Sequence, residues 1–186
     1  MSGSEVNLTK PTVTLHVVSS LDGFIARNDN TVSWLESPED AYEKGVSYDN
    51  ADQVVSAIDC FVLGSRTYEH ALQLGWPYGD TPTVVVTTRE LPSTRKSVEF
   101  YSGDLRKLVD EILAPRYRQI WLVGGAMLCQ RFLQLDLVDE IRLSIAPVLL
   151  GEGLRLFGHS GSEKTWRLKD VTAYKTGFVE LWYGRP

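Results

Sequence analysis

Residues 119–133 read QIWLVGGAMLCQRFL. The first five are apolar apart from one glutamine and include β-branched and aromatic side chains, which predicts a strand over residues 119–123. Gly124 and Gly125 interrupt the run, and residues 126–133 then place apolar side chains at helical spacing. A buried strand that passes through glycine into a helix is the repeating unit of a parallel α/β sheet.

The same unit occurs elsewhere in the chain. Residues 60–63 are a short apolar run, and Gly64-Ser65-Arg66-Thr67 follows it as the predicted start of a helix. Asp104 precedes another predicted helix, whose apolar residues recur at spacings of three and four. Further strands are predicted over residues 12–18, 83–87, 98–101 and 140–145, and a β-hairpin over residues 166–174 and 178–183. The sequence therefore predicts an α/β fold with a mixed, mostly parallel sheet flanked by helices and an antiparallel C-terminal hairpin.

The segment between the strands predicted over residues 12–18 and 60–63 is predicted to be a long loop and a helix. Asp, Asn and Gly are frequent in residues 19–35, as is typical of a loop. A helical pattern covers residues 37–57, with Ser37 as the N-cap and Gly45 dividing the helix into two pieces. Glu39 and Asp40 then lie at its positive end, where carboxylates stabilise a helix.

Size and composition indicate one globular domain. The chain has 186 residues, of which 43% are hydrophobic, and a chain of this length buries a core without a disulfide or a metal. We expect a flexible segment over residues 1–10 and a single domain over residues 11–186. No apolar run is long enough to span a bilayer and no secretory signal is visible, so we expect a cytoplasmic protein with no membrane partner.

Charge and metal-ligand spacing exclude other classes. The 19 basic and 24 acidic side chains give a formal net charge of −5, which argues against a nucleic-acid partner. Cys60 and Cys129 each lie in an apolar run and are predicted to be buried free thiols. Three isolated histidines fit no zinc spacing, so no metal is expected, and His16, inside a strand, is interpreted as a core residue.

Three predicted strand ends carry groups that suit phosphate. Glycine at a strand-to-helix junction lets a phosphate approach the backbone, and the first N–H groups of the helix point towards it. Arg66 would add charge and Thr67 a hydroxyl donor, while residues 87–89 read Thr-Thr-Arg after another buried strand. The alternative is that each glycine only permits a tight turn and that Arg89 is a solvated surface charge. Neither junction matches a Rossmann or Walker fingerprint.

A set of five motifs resembles the dihydrofolate reductase-like superfamily, in particular the branch that contains the reductase domain of the bifunctional riboflavin-biosynthesis deaminase-reductase. The motifs are SSLDGFIA at residues 19–26, LGSRTYE at 63–69, VVTTR at 85–89, IWLVGG at 120–125 and PVLLGEGLRLF at 147–157. They occur in family order over nearly the whole chain. No zinc-deaminase segment accompanies them.

The resemblance implies a site for NADPH in an extended pose. The pyrophosphate and the region of the adenosine 2′-phosphate would be held by Gly64, Arg66 and Thr67. The adenosine and its 2′-phosphate would be flanked by Thr87, Thr88 and Arg89. Gly124 and Gly125, joined by a cis peptide in the family, would meet the phosphates with the N–H groups of Ala126, Met127 and Leu128. The nicotinamide pocket would be lined by Val18 and Ile25, beneath a lid formed by residues 19–35.

The residues that act on the substrate are less well defined by the sequence. Asp22 matches the acidic position of the Ser-Leu-Asp-Gly motif and is a candidate acid, although Asp-Gly also forms turns. Glu39 is a second candidate, with helix capping as its alternative. Trp34 and Trp76 are candidates for stacking on a flat substrate, and either could instead be a packing residue.

These observations predict an NADPH-dependent reductase that transfers hydride to a small heterocyclic substrate, similar to 5-amino-6-(5-phosphoribosylamino)uracil reductase of riboflavin biosynthesis. Dihydrofolate reductase is the alternative within the enzymes, although Cys129 stands where folate reductases usually carry a tyrosine near the nicotinamide. A nucleotide-binding module without turnover is the alternative outside them. Relatives of this branch commonly pair, so a homodimer is also expected.

Overall fold

The computed structural model describes residues 10–35, 41–47, 57–93, 95–158 and 163–186. The N-terminal segment 1–9, Glu39, and most of the helix predicted over residues 37–57 lie outside these ranges. The described residues form ten strands, which we number in chain order. They are β1 Thr12–Ser19, β2 Phe24–Ala26, β3 Cys60–Gly64, β4 Thr83–Val86, β5 Val98–Tyr101, β6 Gln119–Gly124, β7 Glu140–Ile145, β8 Leu154–Arg155, β9 Arg167–Ala173 and β10 Val179–Gly184.

Helices connect the strands at the predicted places. Helix α1 is Ser65–Gln73, α2 is Leu105–Lys107 and α3 is Ala126–Gln134. Asp104 caps α2 by accepting hydrogen bonds from two backbone N–H groups of its first turn, and the chain continues after α2 as a π-helical turn over Leu108–Leu113. In the described ranges no helix combines the length and the apolar character needed to cross a membrane.

Eight of the strands form one sheet in the order β5-β4-β3-β6-β1-β7-β10-β9. The first six are mutually parallel, and β10 and β9 are added antiparallel at the C-terminal edge. This architecture confirms the predicted fold class. Strands β2 and β8 pair in a separate two-stranded sheet that the sequence pattern did not indicate, because runs of three and two residues are too short to show a period.

The sheet is covered by a different core cluster on each face. Val13, Leu15, Val62 and Leu122 point to the face where α3 packs through Phe132. The opposite cluster is formed by Phe61, Leu63, Tyr68, Ala71, Trp76 and Val85. Tyr68 and Ala71 are the buried residues of α1, so α1 and α3 lie on opposite faces.

The helix predicted over residues 37–57 is wrong for the part that the structure describes. Residues 41–47 form turns, and Val46 makes a bridge with Tyr174. A Cβ atom at Gly45 would collide with the backbone of Tyr174 and Lys175, and the Tyr42 N–H donates to the carbonyl of Lys175 at 2.8 Å. Pairing with the turn between β9 and β10 therefore replaces helical hydrogen bonds here.

Candidate active site

The strand order creates a crevice between β3 and β6. The chain moves outward from β3 through β4 to β5 and then returns to β6, which lies between β3 and β1. The helices that follow β3 and β6 pack on opposite faces, so the two connections diverge at this point. In open α/β sheets, ligands bind at the carboxyl ends of the strands where the order reverses in this way.

The two glycine junctions meet in this crevice. A Cβ atom placed on Gly64 would lie 3.5 Å from both the carbonyl oxygen of Gly124 and the nitrogen of Gly125. A Cβ atom on Gly125 would lie 3.4 Å from the hydroxyl oxygen of Thr67. The peptide between Gly124 and Gly125 is cis, as the resemblance implies. The junctions form one narrow surface of glycine backbone, bordered by the Thr67 hydroxyl and by the side chains of Leu128 and Cys129.

Both helices begin here without a side-chain cap. Gly64 is the N-cap of α1 and Gly125 is the N-cap of α3, and neither can offer a side chain to the first N–H groups. The first turn of a helix has N–H groups without intrahelical acceptors, and in α3 these include Ala126 and Met127. The N–H group of Leu128, predicted to face a phosphate, instead donates to the carbonyl of Gly125 at 3.0 Å. That prediction is corrected to Ala126 and Met127.

A third strand end contributes a cavity of about 370 Å³ beside the glycine junctions. It lies after β4 and β5 and is lined by Thr87, Thr88, Arg89, Glu90, Leu91, Phe100, Tyr101 and Ser102. The two terminal nitrogens of Arg89, Nη1 and Nη2, donate to the two carboxylate oxygens of Glu69 at 3.0 and 2.6 Å. The hydrogen bond with Arg89 lowers the pKa of Glu69 below its ordinary value. Arg89 is thus oriented by α1 rather than freely solvated.

The remaining predicted cofactor residues occupy nearby strand and helix ends. Arg66 is exposed in the first turn of α1. Val18 is half-buried near the carboxyl end of β1, the strand next to β6, and Ile25 is half-buried in β2.

The structure assigns Asp22 a different role from the predicted acid. Its carboxylate accepts hydrogen bonds from the Ser20 hydroxyl at 2.6 Å and from the backbone N–H groups of Leu150 and Gly151 at 3.2 and 2.7 Å. The Ser20 hydrogen bond, followed by the two backbone bonds, lowers the pKa of Asp22 to about 2. A carboxyl group that is ionised throughout the neutral range cannot donate a proton. Asp22 therefore ties the 20–23 turn to the 148–151 loop.

The two tryptophan candidates are both buried. Trp76 packs edge-on against Tyr68 and Tyr78, and its indole N–H donates to the carbonyl of Gly79 at 2.9 Å. With only 6% of its surface exposed, it packs as the alternative interpretation expected, and its stacking on a substrate stays a prediction. Trp34 is 8% exposed, and its indole nitrogen has no hydrogen-bond partner among the described residues.

A polar cluster that the sequence did not predict lies on the sheet face near Val18. His16 of β1 contacts Glu180 of β10, with 3.2 Å between Nε2 and Oε2. Ser144 and Arg142 of β7 approach the same carboxylate at 3.4 and 3.7 Å. The sequence indicated a core histidine with a satisfied ring but could not identify Glu180 as its partner, because Glu180 is at the other end of the chain.

Cys60 and Cys129 are buried free thiols, as predicted. Burial raises the pKa of each thiol to about 12. Neither is a thiolate at neutral pH, so neither can act as a nucleophile.

The fold and this crevice define an α/β protein with a mixed, mostly parallel sheet and two glycine junctions that meet at its switch point. Comparison with known proteins identifies the family, because residues 11–179 match the model of the RibD C-terminal domain. The chain belongs to this family, which confirms the resemblance of its motifs to the reductase domain of riboflavin biosynthesis.

Individual relatives agree with this assignment. The Bacillus subtilis protein YwjB, described as uncharacterized, is 31% identical over 173 residues, which cover 92% of this chain and 96% of YwjB. The structure of a Shewanella sp. PV-4 protein assigned to riboflavin biosynthesis aligns with a TM-score of 0.82 at 25% identity and covers 94% of this chain and 99% of that one.

A bifunctional relative shows the same fold. It is the Thermotoga maritima diaminohydroxyphosphoribosylaminopyrimidine deaminase/5-amino-6-(5-phosphoribosylamino)uracil reductase, which aligns with a TM-score of 0.69 at 14% identity. The alignment covers 95% of this chain and 57% of the Thermotoga protein.

Proposed function

We propose that this protein is an NADPH-dependent reductase that transfers hydride to a small heterocyclic substrate, of the kind reduced by 5-amino-6-(5-phosphoribosylamino)uracil reductases. The observation that carries the proposal is the contact between the two glycine junctions at the switch point of the sheet. Two helix N-termini without side-chain caps meet there around a surface of glycine backbone. Such a surface suits the pyrophosphate of a dinucleotide.

The described residues fit this cofactor in chemistry and in size. Backbone N–H groups of Ala126 and Met127 and the Thr67 hydroxyl would hold the pyrophosphate, close to Gly64, Gly124 and Gly125. Thr87, Thr88 and Arg89 line a cavity of about 370 Å³, which is large enough for a nucleoside and places a cation for its 2′-phosphate. Val18 and Ile25 would contact the nicotinamide. NADPH supplies the hydride, and the protein supplies its orientation and the substrate pocket.

Binding and turnover test this proposal separately. Titrating the protein with NADPH and with NADH should give tighter binding of NADPH, and equal affinity would contradict the assignment of Arg66 and Arg89. Loss of NADPH absorbance should then follow addition of 5-amino-6-(5-phosphoribosylamino)uracil. Dihydrofolate is the parallel substrate, and faster turnover with it would replace the proposed substrate class. Tight NADPH binding without oxidation by any compound tested would identify a binding module instead of an enzyme.

A further inference from the structure

One face of the sheet carries charged side chains where a central region of sheet is ordinarily apolar. His16, Arg142 and Trp182 lie side by side on β1, β7 and β10, because His16 pairs with Arg142 and Arg142 with Trp182. The neighbouring row consists of Val18, Ser144 and Glu180, which are paired in the same way. All six side chains share one face, since the side-chain period of a strand is two.

The charges in this cluster are held by specific contacts. The side chains of His16 and Glu180 are only 14% and 12% exposed, and a buried carboxylate is costly unless it is paired. Burial by itself raises the pKa of Glu180, but the hydrogen bond and charge of His16, together with the charge of Arg142, outweigh this effect and lower it below its ordinary value. Glu180 is therefore ionised, and its carboxylate faces Nε2 of the His16 ring.

The orientation of the His16 ring is also fixed. The ring stacks on Trp121, with 4.5 Å between centroids and 17° between planes. The indole N–H of Trp121 donates to the carbonyl of His16 at 2.8 Å. Because Nε2 faces Glu180, the Nδ1 proton is the one that the ring can transfer. Second contacts that hold a histidine in this manner are typical of imidazoles that move protons.

The position of the cluster connects it with the proposed reaction. His16 lies two residues before Val18 on the same face of β1, and Val18 is the residue expected to contact the nicotinamide. Reduction of a C=N or C=O bond requires a proton as well as a hydride. Asp22 cannot supply it, since its carboxylate is ionised and already accepts three hydrogen bonds.

We propose that His16, oriented by Glu180, supplies the proton in the reduction; this inference rests on the proposed function. As the hydride from NADPH bonds to the substrate carbon, the π electron pair of the C=N or C=O bond moves to the heteroatom. The heteroatom takes the proton from Nδ1 of the imidazolium, and the N–H bond electrons remain on the ring. The nicotinamide is oxidised, the substrate is reduced, and the neutral imidazole regains a proton from water. His16 is the catalytic residue and Glu180 the positioning residue.

The charged groups that face His16 within the described residues are Glu180 and Arg142. The variants are therefore made at His16 itself and at Glu180. His16→Gln removes the titrating ring, and Glu180→Gln removes the charge but keeps the shape. The matched control is Glu140→Gln. Glu140 lies on the same face at the other end of β7, where it pairs with Lys169 and Trp182. Each variant is first titrated with NADPH, and the affinity should stay within about threefold of the wild type.

Single-turnover oxidation of NADPH by 5-amino-6-(5-phosphoribosylamino)uracil then tests the proton role between about pH 5 and pH 9. The wild-type rate should fall as the pH rises, because a general acid must carry its proton to donate it. His16→Gln should be about 10²- to 10³-fold slower and nearly independent of pH. Glu180→Gln should also be slower than the wild type, because the carboxylate that orients the ring through Nε2 is gone. Glu140→Gln should behave like the wild type.

A readout that needs no turnover completes the experiment. In NMR spectra of the histidine rings, the ring signals of His16 should shift in Glu180→Gln, which loses the contact at Nε2, and stay in place in Glu140→Gln. Unchanged His16 ring signals in Glu180→Gln overturn the positioning role of Glu180. Wild-type turnover with an unchanged rate and pH profile in His16→Gln overturns the proton role alone. NADPH binding without any wild-type turnover overturns the proposed function, and the proton role with it.

Discussion

The contact between Arg89 and the cofactor can be tested by replacing Arg89 with methionine. Methionine keeps most of the length and the apolar stem but removes the guanidinium. In the free protein this group forms two hydrogen bonds with Glu69, which use two of its five N–H donors. The other donors stay available for a phosphate at the rim of the cavity. The 2′-phosphate is present in NADPH and absent from NADH, so the loss should fall on NADPH alone.

Exposure of the guanidinium determines the size of this effect. The side chain of Arg89 is 53% exposed, so water and salt screen its interaction with a phosphate. Charged pairs at such positions contribute far less than buried ones, while the bidentate geometry of arginine works in the opposite direction. We therefore expect the Kd for NADPH to rise about 3- to 10-fold in Arg89→Met, with the Kd for NADH unchanged. Raising the salt concentration should reduce the difference between the wild type and the variant.

Isothermal titration of both nucleotides into both proteins measures these values. A matched control is Arg116→Met, because Arg116 forms the same bidentate contact with Glu99, at 2.8 and 2.6 Å, and is 42% exposed. Arg116 precedes β6, so it lies at the amino-terminal end of that strand, whereas the glycine junction lies at its carboxyl end. The control should bind NADPH like the wild type. Equal weakening of NADPH and NADH in Arg89→Met, or no weakening of either, would refute a contact with the 2′-phosphate.

Three further results are expected. Gly64→Ala should fold normally, since its Cβ atom would make only van der Waals contacts at 3.5 Å. It should nevertheless weaken NADPH binding at least about tenfold, because the methyl group would occupy the phosphate surface. Thermal melting measures the folding and titration the binding, and an unchanged affinity would contradict the site. The pKa of Asp22 is lowered from 3.8 to about 2 in the folded protein, so its stabilising contribution is complete above the unfolded value and is lost as the pH falls towards the folded one. Asp22→Asn should accordingly melt at a lower temperature near neutral pH and lose less stability between pH 4 and pH 2, whereas parallel melting curves would contradict the role of its hydrogen bonds. Burial of Cys60 and Cys129 should protect both thiols from a thiol reagent at about pH 8 until the protein is denatured, and rapid labelling of the native protein would show that the core opens.

The sequence predicted the parallel strands well because each is short, apolar and followed by a local signal. Gly64 and Gly125 mark the strand-to-helix transitions, and the structure places them as the N-caps of α1 and α3. Strand β7, predicted over residues 140–145, has those bounds in the structure. Such features are encoded within a few residues, and for this reason they can be read without knowing the tertiary contacts.

The errors have the opposite origin, since each depends on contacts between distant segments. Residues 41–47 have a helical pattern, yet they pair with the turn between β9 and β10. Asp22 resembles an acid in its motif, but the N–H groups of Leu150 and Gly151 fix it as an acceptor. The same holds for His16, whose partner Glu180 lies on the last strand. Hydrophobic periodicity carries no information about these pairs.

The placement of α1 and α3 on opposite faces of the sheet has a thermodynamic consequence. Each glycine junction is attached to a different core cluster, so a dinucleotide held by both would be a noncovalent cross-link between the two. Such a ligand binds only when both clusters are intact, and its binding free energy is therefore added to the stability of each. Amide hydrogens in α1 and α3 should then slow their exchange together on saturation with NADPH, although the two helices share no core. The cofactor would make one cooperative unit of two layers that lie on opposite faces of the sheet.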